Sequence, residues 1–212
     1  MNNRDSLKDL FEPRLEPVPL GQADALNDRG QIRGDHDLNP ASTPPADIIY
    51  KPAAVLVPIG FRNNSPQVVL TRRAGHLEKH AGQISFPGGR AEQEDLTAVE
   101  TALRESEEEI GLAPDHVEVV GALNTYLTVT NYSVTPVVGL VEPQAGFVAE
   151  EGEVAEIFEV PLSFLLDHQN HQKHSGFHNG IERFWYAMPY NDYYIWGATA
   201  GMIRDLSERV MK

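Results

Sequence analysis

The sequence predicts an α+β fold, a mixed β-sheet sandwiched by helices. Three observations predict it. Apolar runs of strand character and amphipathic helical stretches are both present, and they follow one another without the regular alternation of a doubly wound sheet. The chain has 212 residues, enough for one domain with a sizeable core. It has no cysteine, so that core must hold without disulfide staples.

The first fifty residues differ from the rest. Residues 6–11 predict a short helix with Leu7, Leu10 and Phe11 on one side, interrupted by Pro13, Pro17 and Pro19. Residues 22–47 are polar, rich in Asp, Asn, Gly and Pro, and show no sustained period of 2 or 3.6. They read as a loop or arm. Residues 1–49 are therefore taken as a partly irregular N-terminal extension, and residues 50–212 as the folded domain.

Within the domain, residues 53–59 form an apolar run suited to a buried strand, and residues 67–71 form a second. Asn63-Asn64-Ser65-Pro66 is turn chemistry, so the pair reads as a hairpin with a loop of four residues or more. Residues 96–110 have helical periodicity and end at Gly111. Residues 117–123 and 134–141 are further strands, 160–167 a strand end leading into a short helix, 181–188 another strand, and 198–211 a closing helix.

Composition excludes several chemistries. Without cysteine there is neither a thiolate zinc site nor a cysteine nucleophile. Thirty-one acidic residues against 17 Lys and Arg give a net charge of −14, the wrong sign for a nonspecific grip on nucleic acid. No apolar run reaches the ~18 residues of a membrane span, and the N-terminus lacks a secretory core. The expectation is a cytoplasmic protein.

The densest charge lies between Glu92 and Glu109, where eight acids accompany one base, Arg104. On a helix, Val99, Leu103, Ser106 and Ile110 share one stripe, which should face the core with Ser106 as its polar weak point. Glu105, Glu108 and Glu109 share another face at i+3 and i+4, where like charges repel by a few tenths of a kcal/mol each. A hard divalent cation would offset that repulsion, and carboxylate oxygens are what Mg²⁺ prefers. Just upstream, Phe86-Pro87-Gly88-Gly89 places two glycines between a strand-like segment and this helix. A glycine turn delivering a carboxylate helix suggests Mg²⁺ bridging the protein and phosphate oxygens.

These residues carry a family resemblance. Gly89-x5-Asp95-x8-Arg104-Glu105-Ser106-x-Glu108-Glu109-x-Gly111-Leu112 resembles the Nudix box. It departs from the family pattern in having Asp95 for the first acid, one extra residue before Arg104, and Ser106 in an apolar slot. A second, narrower resemblance is to Nudix coenzyme A pyrophosphatases. It rests on Leu70-Thr71-Arg72-Arg73-Ala74, Leu77, His80-Ala81-Gly82-Gln83 and Phe86 to Gly89. It continues in residues 134–139, 153–156, 160–162 and 196–200, covering roughly 50–206.

The resemblance implies a Nudix-type α/β/α sandwich. It implies hydrolysis of the pyrophosphate bond of coenzyme A or acyl-CoA to 3′,5′-ADP and 4′-phosphopantetheine or its acyl form. An acidic site takes a pyrophosphate only through cations, so Mg²⁺ (or Mn²⁺) is the implied cofactor. Glu105 and Glu109, one turn apart, are the expected primary metal ligands, and Glu108 a third or a ligand through water. Arg104 is expected to orient a carboxylate. The general base is expected in Glu153 or Glu151, with Glu109 the other contender. Arg72, Arg73 and His80, with the backbone of Gly88 and Gly89, form the expected substrate side. The implied partner is a small-molecule substrate, with neither nucleic acid nor membrane, and a homodimer is compatible with this reading. Two alternatives stand beside it: the same chemistry on ADP-ribose, NADH or a nucleoside triphosphate, and a catalytically silent Nudix-like binding module. A silent module is expected to have lost one of the three glutamates.

Two weaker features complete the reading. His168, His171, His174 and His178 stand in a polar stretch that reads as a histidine-bearing loop. Trp185, Tyr186, Tyr193, Tyr194 and Trp196 read by default as core aromatics, with stacking on adenine as the functional alternative.

Overall fold

The computed structural model describes residues 4–18, 32–40, 48–77, 80–178 and 180–211. The N-terminal helix α1 (Arg4–Phe11) is followed by a two-residue strand, β1 (Arg33–Gly34). The hairpin expected around residue 63 is β2 (Lys51–Arg62) and β3 (Ser65–Arg73), then two short strands follow, β4 (Ile84–Ser85) and β5 (Gly88–Arg90). The acidic helix is α2 (Ala98–Ile110). Next come β6 (Val117–Ala122), β7 (Tyr126–Leu127), β8 (Tyr132–Val141) and β9 (Val154–Pro161). The chain closes with α3 (Leu162–Leu166), β10 (Gln172–His178), β11 (Ile181–Tyr190), β12 (Tyr193–Trp196) and α4 (Gly197–Val210).

Strand β2 is the axis of a mixed sheet. It runs parallel to β8 and antiparallel to β3 and β5. Successive side chains leave a strand on opposite faces. Ala53, Val57 and Ile59 therefore enter one core, and Ala54 and Leu56 the other. The first core is capped by Leu7 and Phe11 of α1 and by Ala200, Met202, Ile203 and Leu206 of α4. The second, smaller core is capped by Ala98, Ala102 and Ile110 of α2. Helices on both faces of a mixed sheet give the α/β/α sandwich that was expected. Strands β10, β11 and β12 form a separate antiparallel sheet. Among the described residues, no helix is long and apolar enough to cross a membrane.

The structure corrects five local expectations. The β2–β3 loop is two residues, not four: Arg62 pairs with Ser65, and Asn63 and Asn64 take φ of 50° and 60°. Two asparagines tolerate the left-handed region and make the tight turn that a twisted hairpin favours. Helix α2 starts at Ala98 rather than residue 96, because Thr97 caps it.

The arm expected over residues 22–47 is ordered where it is described. Arg33 and Gly34 run parallel to Tyr126 and Leu127, and Asn39 bonds the backbone of Phe184 in both directions. Residues 22–31 and 41–47 lie outside the described residues.

The histidine stretch is no loop. After a turn at His168–Asn170, the chain pairs with β11 over seven positions as β10. Partner strands supplied the order that a polar sequence does not advertise. The His178 side chain lies outside the described part. Finally, the aromatics divide. Tyr186 and Tyr193 pack against the core, while Tyr194 and Trp196 are exposed.

Candidate active site

The site grows from the ends of α2. Thr97 Oγ1 accepts from the Glu100 N–H at 3.2 Å, and Glu100 Oε2 accepts from the Thr97 N–H at 2.9 Å. This reciprocal cap satisfies donors that a helix N-terminus otherwise leaves unmatched. The buried stripe differs from the one expected. It comprises Ala98, Thr101, Ala102, Ser106, Glu109 and Ile110, with Val99 and Leu103 at its margin. Small residues let the helix sit close to the sheet and carry Glu109 inward. Ser106 is accommodated by donating to the Ala102 carbonyl at 2.6 Å.

Opposite the helix, β5 pairs Gly88 with Val55 and Gly89 with Ala54. A Cβ on Gly88 would lie 2.5 Å from the Ala54 carbonyl oxygen, at φ +149°. A Cβ on Gly89 would lie 2.5 Å from a Glu105 carboxylate oxygen. Gly88 thus lets β5 lie close against β2, and Gly89 clears the space in which the Glu105 carboxylate stands.

The three glutamates of α2 are not equivalent. Glu109 is 5% exposed. It accepts from the Gly88 N–H at 3.1 Å and faces Arg73, whose Nη1 is 3.8 Å from Oε1. Burial pushes its carboxyl up to about 7; the Gly88 N–H and Arg73 oppose this, while Glu105 and Glu153 add to it. Glu105 is also raised, chiefly by burial, against the pull of Arg104. Glu108 points outward, its side chain 60% exposed.

Arg104 ties the cluster together. It grips Asp95 through Nε and Nη2 at 3.1 and 2.8 Å. It also reaches Glu105 at 3.1 Å, Glu108 at 3.0 Å and the Arg90 carbonyl at 3.1 Å. Asp95 is buried, accepts further from Thr101 and the Glu92 N–H, and is held below the usual carboxylate range chiefly by Arg104. The extra residue before Arg104 is thus absorbed without loss of the pair.

The other expected residues divide. The segment before β9 docks on the end of α2 through Val148 N–H to Ile110 O and Glu150 N–H to Glu109 O, at 2.9 and 3.0 Å. Glu151 and Glu153 are both exposed, and the charge of Glu153 adds to the rise of both Glu105 and Glu109. Arg73 faces Glu109, but its neighbour Arg72 pairs with Glu156 at 3.1 Å and lies over the Tyr193 ring at 5.2 Å. His80 is exposed and bonds Gln83 at 2.8 Å.

The residues suit a divalent cation. Their donors are all carboxylate oxygens, and the buried Glu109 carboxylate has one neutral donor, one loosely placed arginine and two like-charged neighbours. Among the described residues, no three His, Asp or Glu side chains already converge at metal-binding distance. Arg104 holds Glu105 and Glu108 instead.

Comparisons with known proteins decide the family. The NUDIX domain model matches residues 50–179. A relative in Escherichia coli K12, described as an uncharacterized Nudix hydrolase NudL, is 43% identical over 162 residues, covering 76% of this chain and 83% of that protein. The chain belongs to the Nudix family. The counterpart in Escherichia coli O7:K1 is 42% identical over the same shares of both chains. Among solved structures, a MutT/nudix family protein from Enterococcus faecalis is 15% identical with a TM-score of 0.47, covering all of this chain and 76% of that one. The NUDIX domain of Shewanella oneidensis NrtR, solved with ADP ribose, is 17% identical with a TM-score of 0.43, over 68% and 86% of the two chains. As a Nudix hydrolase the protein is an enzyme acting on a nucleoside diphosphate linked to a second group, with a divalent cation.

Proposed function

We propose that this Nudix hydrolase cleaves the pyrophosphate bond of coenzyme A or acyl-CoA in the cytoplasm, releasing 3′,5′-ADP and 4′-phosphopantetheine or its acyl form. The observation that carries the reading is the course of the segment resembling coenzyme A pyrophosphatases. It leaves β3 at Arg73 and returns at Gly88, and both ends reach the same carboxylate, Glu109. The residues that carry the narrower resemblance therefore frame the carboxylate that carries the broader one.

In this reading Glu105 and Glu109 hold Mg²⁺ or Mn²⁺, with Glu108 joining through water. The bound cation supplies charge neutralisation at the phosphoryl oxygens and a more acidic attacking water. Arg104, fixed by Asp95, orients Glu105 and keeps Glu108 within reach. The base that takes the proton from water is Glu153 in preference to Glu151, since the charge of Glu153 bears on both Glu105 and Glu109. Arg73 meets phosphoryl oxygens, and the Gly88–Gly89 backbone lets the substrate approach closely. Arg72 and His80 act farther out, on the nucleotide's distal groups.

A substrate panel tests the reading. Coenzyme A, acetyl-CoA, ADP-ribose, NADH and nucleoside triphosphates are offered with Mg²⁺, and products are separated by chromatography. Coenzyme A or acetyl-CoA is expected to show the highest kcat/KM, with 3′,5′-ADP as product and chelator abolishing turnover. A higher value for ADP-ribose or NADH overturns the substrate assignment. No turnover of any nucleotide points to a binding module.

A further inference from the structure

Arg72 and Arg73 are the last two residues of β3, where Arg72 pairs with Glu156 and Arg73 with Val154 of β9, leaving Ala155 of β9 unpaired. Successive side chains leave a strand on opposite faces. That alternation parts the two adjacent arginines. Arg72 pairs with Glu156 and lies over the Tyr193 ring, while Arg73 turns toward α2. The root of Arg73 is fixed, because its N–H donates to the Gln83 carbonyl and its carbonyl accepts from the Gly82 N–H. Its head is not. Nη1 stands 3.8 Å from Glu109, longer than a hydrogen bond, and the buried Nε has no hydrogen-bond partner. Buried donors are nearly always matched. An arginine anchored at its base, with one donor unmatched and a loose ion pair, is built to change partners.

Resting on the reading that Glu105 and Glu109 hold the divalent cation, we propose that Arg73 is the counter-ion of Glu109 in the metal-free protein, competes with the cation for that carboxylate, and passes to the substrate's phosphoryl oxygens when the cation binds. The electrostatics run one way. A buried carboxylate beside Glu105 and Glu153 needs a positive neighbour, and Arg73 supplies it when no metal does. A divalent cation and a guanidinium cannot share one carboxylate edge without repelling each other. The pyrophosphate then offers anionic oxygens that match the guanidinium fork. One side chain thereby weakens metal binding before substrate arrives and strengthens substrate binding after the metal is in place.

The test is Mn²⁺ binding without substrate, read from the free-ion electron paramagnetic resonance signal. Arg73→Gln is expected to bind Mn²⁺ about three- to fivefold more tightly than wild type, the upper end of one partly screened ion pair. Its KM for the pyrophosphate substrate at saturating metal should rise. Arg73→Met, with a stem of similar length and no charge, should repeat the tighter Mn²⁺ binding and covers the case of a poorly folded Gln variant. Arg73→Lys should stay near wild type. Arg72→Gln removes the same charge one residue away and should leave the Mn²⁺ affinity within about twofold. Unchanged or weaker Mn²⁺ binding in both neutral Arg73 variants overturns the proposal, as does equal tightening in Arg72→Gln. A wild-type protein that binds no Mn²⁺ overturns the metal assignment beneath it, which is a distinguishable failure.

Discussion

Two buried carboxylates sit on the two long helices, over opposite cores of the sheet, and their surroundings differ in kind. Asp205 of α4 is 3% exposed and surrounded by donors: the Asn124 N–H at 3.0 Å, Asn124 Nδ2 at 2.9 Å and Arg209 Nε at 3.3 Å. Arg33 adds a cation at 3.7 Å. Glu109 of α2 is about as buried, yet has one backbone donor and one loose arginine, with Glu105 and Glu153 repelling it. A buried charge that is fully matched secures a fold. One that is left under-matched among like charges marks a place where something else binds. The difference separates architecture from chemistry, although both residues are acids on amphipathic helices.

The sharpest way to break that comparison is to neutralise each acid. Glu109→Gln should lower kcat by about a thousandfold, equivalent to about 4 kcal/mol of transition-state stabilisation. Its melting temperature should not fall, because the amide still accepts from Gly88 and a poorly compensated charge is gone. Full activity would remove Glu109 from the site. Asp205→Ala should do the reverse, costing about 3 kcal/mol by urea unfolding because it strands buried arginine and asparagine donors. Activity per folded molecule should persist, and a stable but inactive Asp205→Ala would erase the distinction.

Smaller effects sharpen it. Thr97→Ala removes the cap of α2 and should cost about 1 kcal/mol of stability, measured by thermal unfolding, with little change in KM. Asp95 tests the Arg104 clamp by pH. Its folded pKa is depressed, so the stability it contributes is present above the unfolded value of about 3.9 and is lost as pH falls through the folded one. Urea midpoints of wild type and Asp95→Asn should differ at neutral pH and converge in strong acid. A constant gap at all pH values would show that the clamp does not act through charge.

Much of the site is legible in the sequence because its spacing is helical. The i+4 relation of Glu105 and Glu109, the glycine pair and the cap at Gly111 all follow from local geometry. The inequality of the three glutamates does not, since it depends on how closely Ala98 and Ala102 let α2 approach the sheet. Arg72 and Arg73 are adjacent and chemically identical in the sequence, and the alternation of β3 sends them to opposite faces of the sheet, whose partners only the tertiary fold supplies. Strand β10 and the pairing of β1 with β7 escape a sequence reading for a related reason. Their order comes from neighbours far along the chain, and neither carries an apolar period of its own.

The sequence by itself determined the class of fold, the helix that bears the acids, the glycine turn before it and the family those residues announce. Each of these rests on periodicity or on contacts within one turn. Only the tertiary structure decided which acid is buried, that Asp95 is the clamp on Arg104, and that Arg73 alone of the arginine pair reaches Glu109. Those outcomes depend on desolvation and on charges brought together across distant segments, and neither is a property of any short stretch of chain.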